Sequence, residues 1–456
     1  MQHAASPTRD LATFVAGFDF ADLPHATLER TKDIVLDAVA CALAGHAGDE
    51  TAQVEPVARA LGGPGDCTVI GGTPLSPVGA ALLNGYLITA VTVCDVHRPT
   101  LCHIAPEVLP PALAIAEQRH ASGRDLLRAL ALGFETTTRV GLSLHYPAFR
   151  ARGWHSPGVI GPFGGAAAVG SLLGLDAERH LLAFGLAGSQ SAGTFAAWGT
   201  PTVKFHQARA AVSGLLAALL AEQGFRASEE ILAAPDGGLF TTYSDGGRPD
   251  ALVEQLGQRW ELENISLRLW PTASSIQSVI TALLALIERH DLRPETVAQV
   301  TVGLSQGVYT MHGEIGWEGK FRALLSTRYA TAVVLADRQC WLDQFSPQRL
   351  ADPTLDAFAR QRVAVEVDPS VEGTGAIVRI TDRSGRTFVE RRAVPRGDVA
   401  DPLSRDEIRA KFRLAARGRL SDTDTERLIR LLERLETVED TRELAQALRA
   451  PAGAAV

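Results

Sequence analysis

Apolar side chains recur every three or four positions through most of the first 260 residues. From Thr27 to Ala44 they fall at Leu28, Ile34, Val35, Ala38, Val39, Ala42 and Leu43, one face of a helix, and Gly45 follows as a stop. The same period predicts helices over Pro77 to Ala90, Glu107 to His120, Asp125 to Leu142, Asp176 to Ala187 and Ala208 to Gln223. Alanine and leucine dominate, and glycines interrupt the apolar faces. Small residues let helix axes come close, so the pattern describes a helical core with many pairwise contacts.

The pattern changes after about Pro271. One more helix is predicted over Gln277 to His290, then a strand over Val297 to Gly303, and a helix over Leu325 to Leu335. Arg362 to Val367, Ala376 to Ile380 and Arg386 to Arg391 are short β-branched runs, and Asp382 to Gly385 is a turn between the last two. Helices return at Ser404, where Ser404 and Glu407 form a capping box and Glu407 is spaced to pair with Lys411. Two further helices, Glu426 to Leu435 and Thr441 to Leu448, finish the chain. The fold class is therefore mostly α. Both chain ends, 1–270 and 400–456, build a large all-helical domain, and a smaller α+β domain, 271–399, is inserted between them.

Composition narrows the function. The 456 residues are 46% hydrophobic and 21% charged, with a net charge of −8, so a general basic footprint for nucleic acid is excluded. Five cysteines with no C-x-x-C spacing point to a reducing compartment, and the N-terminus has no continuous apolar run, so a cytoplasmic location is expected. The uncharged stretch Gly158 to Leu175 holds six glycines and a proline. Its first half reads as a loop and its second as a buried helix, with no membrane span expected.

Four segments bear on chemistry. Cys94, Asp95, His97, Cys102 and His103 place five metal-ligand side chains within ten residues, but two are adjacent and the spacing fits no common zinc site, so no metal is expected. Gly188-Ser189-Gln190-Ser191-Ala192-Gly193 lacks the first glycine of a nucleophile elbow. His155 lies in a Gly/Pro loop before a tight helix, where a helix N-terminus would lower its pKa and favour an anion. Lys204, His206 and Arg209 gather within six residues, and Lys204 is one of only four lysines in the chain.

Taken together, these segments resemble the MmgE/PrpD family. The resemblance runs along almost the whole chain. Asn84-Gly85 through Cys94-Asp95 to His103 is similar to the family's NG…DD…HPS stretch. Gly153 to Ala168 resembles its G-F-H-P-T…G-P-x-G-A-A-A motif, and Thr202 to Gly214 its T-K-x-x-H-x-G-x-A-A-x-S-G motif. Arg268 to Pro271, Ser326 to Tyr329 and Pro402 to Phe412 resemble its later K-x-[YF]-P, S-x-x-Y and P-L-S…K-F motifs. The resemblance implies a homodimer without metal or organic cofactor that acts on a small carboxylate. It places His103, His155 and Tyr329 at catalytic positions, with Lys204 at or beside one. Asp95, His97, His206, Arg209, Arg268 and Gln277 are then the substrate-binding candidates. Histidine can move a proton near neutral pH beside a carboxylate-stabilised anion, and Lys204 would stabilise the carboxylate.

The chain departs from the family pattern in the acidic D-x-D-D cluster, which here reads Thr92 to Asp95 with one carboxylate. The family lysine aligns without a gap on Val203. The expected reaction is dehydration of a hydroxy di- or tricarboxylate-like acid. Decarboxylation or epimerisation at the same site is the alternative, and a non-catalytic homologue the second alternative.

Overall fold

A computed structural model of the chain describes residues 6–449; the terminal residues 1–5 and 450–456, assigned above to the helical domain, lie outside the described residues. The fold is mostly α. The chain divides into two compact units, Met1–Ile265 together with Ser404–Val456, and Ser266–Leu403.

The first unit is helical. Its long helices are His25–Gly45, Pro77–Thr89, Ala105–Gln118, Gly123–Ser143, Ser156–Leu173, Ala177–Ser189 and Thr202–Glu222. After the insertion, Arg405–Ala416, Asp422–Glu433 and Arg442–Leu448 return to it, and Arg405–Ala416 packs on His25–Gly45. The Ser404–Glu407 capping box is formed. Lys411 sends its ammonium into the core, to Asp37 and the Val93 carbonyl.

Two helices differ from expectation. Ser156–Leu173 is helical throughout, with no loop in its first half. Pro157 sits in its first turn, where a missing N–H costs nothing. The glycines that suggested a loop serve helix packing: a Cβ on Gly214 would come within 2.7 Å of the Gly165 Cα. This helix is long and apolar enough to cross a membrane, yet 89% of it is buried inside the unit, as a core helix would be. Thr202–Glu222 begins six residues earlier than the periodicity suggests. Its first turns carry Lys204, His206 and Arg209, and polar residues there hide the apolar period.

The second unit holds a four-stranded sheet in the order Val363–Val367, Val297–Leu304, Ala376–Asp382, Thr387–Arg392. The first pairing is parallel and the other two antiparallel. The Asp382–Gly385 turn closes with Gly385 N–H on the Asp382 carbonyl, 3.0 Å, and Gly385 takes a positive φ. Gln277–His290 lies against this sheet and against Thr327–Asp337.

Candidate active site

Three histidines of the first unit mark the candidate site. His103 stands in the loop before the Ala105–Gln118 helix. His155 is the N-cap residue of Ser156–Leu173, and His206 lies in the first turns of Thr202–Glu222.

The His103 loop is braced from both sides. His97 is fully buried; its Nδ1 meets Thr100 Oγ1 at 2.8 Å and its Nε2 meets Glu261 Oε1 at 3.1 Å. The Asp95 carboxylate accepts the Ile104 and Ala105 N–H groups at 2.7 and 3.2 Å, capping the helix that follows. Burial pushes the Asp95 carboxyl up to about 7, against the pull of His103 and the Ile104 N–H. The Asp95 carbonyl lies 2.6 Å from His103 Nδ1. A carbonyl only accepts, so Nδ1 carries the hydrogen and Nε2 is the edge that gains and loses a proton. Cys102, the next residue back, lies 3.6 Å from the Glu107 carboxylate, and burial holds that carboxyl well above its usual range.

The His155 loop is stitched to the His103 loop. Ser156 Oγ donates to the Thr100 carbonyl at 2.6 Å. His155 N–H donates to the Gly193 carbonyl at 3.0 Å, and Trp154 bridges Thr194. The proline inside the following helix explains why the 191–195 segment docks here. Pro162 has no N–H, so the Gly158 carbonyl four residues earlier has no helical partner. It accepts instead from Ala192 N–H at 3.1 Å and from the Arg209 guanidinium at 2.7 Å. Arg209 also donates to the Ala192 and Gln190 carbonyls and to Ser213. It is a clamp on this segment.

His155 Nδ1 faces His206 Nδ1 at 3.0 Å. Burial pushes the His155 imidazole down to about 3, with the charges of His206, His103 and Arg150 acting in the same direction. Burial rather than the helix terminus expected above is the main cause. His206 is also lowered, by burial first and then by Arg209. Phe195 flanks His155 at a ring distance of 6.1 Å and stacks on Trp198, while the Arg150 guanidinium sits 3.4 Å over the Phe195 ring. The His155 side of the site is therefore aromatic and cationic, without a carboxylate among the groups that shift its imidazole.

The remaining candidates are held by contacts within their own units. The Lys204 ammonium is buried, donates to the Ala90 carbonyl at 2.5 Å and lies 3.4 Å from Glu50 Oε2. It faces a carboxylate of this chain. Tyr329, Arg268 and Gln277 belong to the second unit. The Tyr329 hydroxyl donates to the Gln344 carbonyl at 2.7 Å, and burial raises its pKa. Arg268 donates to the Thr272 carbonyl at 3.2 Å, and Gln277 Nε2 to Trp270 and Thr272. The five residues from Cys94 to His103 with ligand side chains diverge, and among the described residues no three His, Cys, Asp or Glu side chains gather into a metal-ligand set. The five cysteines, Cys41, Cys67, Cys94, Cys102 and Cys340, are all buried. Sequence reasoning missed Glu50 and Glu261, which sit in unremarkable stretches, and Glu107, which read only as a helix start. The proline at 162 was the one visible signal that the Gly158 carbonyl would be free.

A helical unit built from both chain ends, an inserted α+β unit and a histidine site held on two stitched loops define the architecture. The sequence matches the MmgE/PrpD N-terminal domain over residues 9–251 and the MmgE/PrpD C-terminal domain over residues 270–437. The chain belongs to the MmgE/PrpD family. It is 31% identical to the cis-aconitate decarboxylase-like protein oryM of Aspergillus oryzae, over 96% of each chain. It is 28% identical to the cis-aconitate decarboxylase of Aspergillus terreus, over 97% of this chain and 96% of the relative. It is 26% identical to the human cis-aconitate decarboxylase, over 98% and 95%.

Proposed function

We propose that this chain is a lyase acting on a small polycarboxylate, and that it removes CO₂ from an unsaturated tricarboxylate of the cis-aconitate type. The names of its relatives support this reading over the dehydration expected from the sequence. One geometric observation carries it: the Asp95 carbonyl fixes the Nδ1 edge of His103, while the Nδ1 edge of His155 is tied to His206.

Dehydration needs one group to take a carbon-bound proton and a second to deliver a proton to the departing hydroxide. A neutral imidazole such as His155 is a poor acid for the second task. Decarboxylation needs a single proton donor. The bond to the leaving carboxylate breaks, and its electron pair shifts the double bond. The far allylic carbon takes one proton, so substrate and H⁺ give product and CO₂. The carboxylates of a bound substrate raise the proton affinity of His103. Its Nε2–H then supplies the proton, and solvent restores it. His155 offers a neutral hydrogen bond, and the aromatic wall disfavours the charge of the carboxylate that leaves. Lys204 and Tyr329 are not part of this proposal.

The test is CO₂ release from cis-aconitate and related unsaturated acids, set against water loss from citrate-like and malate-like hydroxy acids. CO₂ from the first group supports decarboxylation. Alkene from the second without CO₂ returns the chain to dehydration.

A further inference from the structure

Two facing ring nitrogens 3.0 Å apart hold one hydrogen between them. When both rings are neutral, one of His155 and His206 is the donor and the other the acceptor. The pair therefore has two arrangements, and they present opposite faces to the rest of the site. If His155 donates, its Nε2 is a bare lone pair. If His206 donates, His155 carries its hydrogen on Nε2.

We propose that His206 is a positioning residue that donates its Nδ1–H to His155 Nδ1, and so locks His155 as the Nε2–H tautomer that hydrogen-bonds a substrate carboxylate. This rests on the reading that the substrate is a polycarboxylate. An anion is held by an N–H and repelled by a lone pair, and only this arrangement gives His155 an N–H to offer. The surroundings fit. The charged groups acting on His155 are His206, His103 and Arg150, all of them basic. The charged neighbour that shifts His206 is Arg209. No carboxylate among these groups draws a proton onto the pair, so it stays neutral and the hydrogen bond alone sets the tautomer.

The packing around His206 fixes its ring. Gly193 has φ +134°, and a Cβ there would come within 3.0 Å of His206 Nδ1 and against the ring carbons. The same Gly193 accepts the His155 backbone N–H. One glycine thus sets both the His155 backbone and the His206 ring. The arrangement parallels a catalytic triad, where a third group fixes the tautomer of the working histidine. Here the third group is a neutral imidazole that donates, where a triad uses a carboxylate that accepts.

The experiment is ¹⁵N NMR of the full chain with ¹⁵N-labelled histidine ring nitrogens at neutral pH, with signals assigned from His155→Asn and His206→Asn. His206 should report the Nδ1–H tautomer, the minority form of free histidine, and His155 the Nε2–H tautomer. His206 as Nε2–H, or either ring as an imidazolium, overturns the proposal. The kinetic counterpart compares His206→Phe, which keeps a ring without a donor, with His206→Asn, whose amide N–H stands near the lost Nδ1–H. His206→Phe should lower kcat by about tenfold or more with an unchanged thermal midpoint, and His206→Asn should recover part of that loss. Equal kcat in both variants overturns the proposal. Failure of the functional reading looks different: the tautomers would be as stated, and no carboxylate would be turned over.

Discussion

Lys411 Nζ lies 2.5 Å from Asp37 Oδ1, with both side chains 1% exposed, and the two residues are 374 positions apart. The pair joins Arg405–Ala416, the helix that returns after the insertion, to His25–Gly45. Lys411 also donates to the Val93 carbonyl, two residues before Asp95, so the same contact reaches the base of the His103 loop.

Removing one member of a buried pair strands the other charge. Lys411→Met should destabilise the protein by about 3–5 kcal/mol in urea denaturation. Adding Asp37→Leu to it should restore a large part of the loss. If the single variant is as stable as the parent, the pair does not hold the chain ends together.

Pro162 leaves the Gly158 carbonyl to the segment beside His155. Pro162→Ala returns an N–H to the helix, which competes with Ala192 and Arg209 for that carbonyl. Stability should be kept or raised, while kcat falls by about 10- to 100-fold because the His155 segment shifts. Steady-state kinetics beside a thermal melt checks it. A parallel fall in both quantities would mean that Pro162 serves packing alone.

His155, His180 and His312 are buried and neutral, with pKa values pushed down by burial to about 3, 4 and 4. In the unfolded chain each takes a proton below about 6.5. Between that value and about 4 the unfolded state binds more protons than the folded one, so stability falls as pH falls. The expected slope is up to about 1.4 kcal/mol per pH unit for each histidine. Denaturation curves from pH 7 to pH 4 check the sign. His180 has no hydrogen-bond partner on either ring nitrogen and lies beside Phe184. His180→Phe should therefore flatten the curve in this window and raise stability by about 1–3 kcal/mol. An unchanged slope would contradict the assignment.

Helix periodicity made most of the fold legible. Gln277–His290 has the expected bounds, and the strands that follow start within one residue of expectation. Two helices read short, each for its own reason. Ser156–Leu173 reads as half loop because its glycines serve close contacts with Gly214 and Thr137, which no local pattern reveals. Thr202–Glu222 starts late in the sequence reading because its first turns are polar. At the site, His103, His155 and His206 stood out as histidines in Gly/Pro or basic settings. Their partners did not. The Asp95 carbonyl, the Gly193 carbonyl and the Gly158 carbonyl are backbone groups, and a sequence does not mark which backbone groups a fold will leave open. Lys204 is a separate case. Its rarity drew attention, while Glu50, which it faces, gave no signal.

The central claim is that His103 delivers one proton to carbon as CO₂ leaves. The measurement that tests it most directly is proton NMR of turnover in D₂O with cis-aconitate, for the parent protein and for His103→Gln. The account predicts one deuterium on the newly protonated carbon for each CO₂ released. It also predicts loss of both signals in His103→Gln at an unchanged thermal midpoint. Product without CO₂ release, or full turnover by His103→Gln, would contradict it.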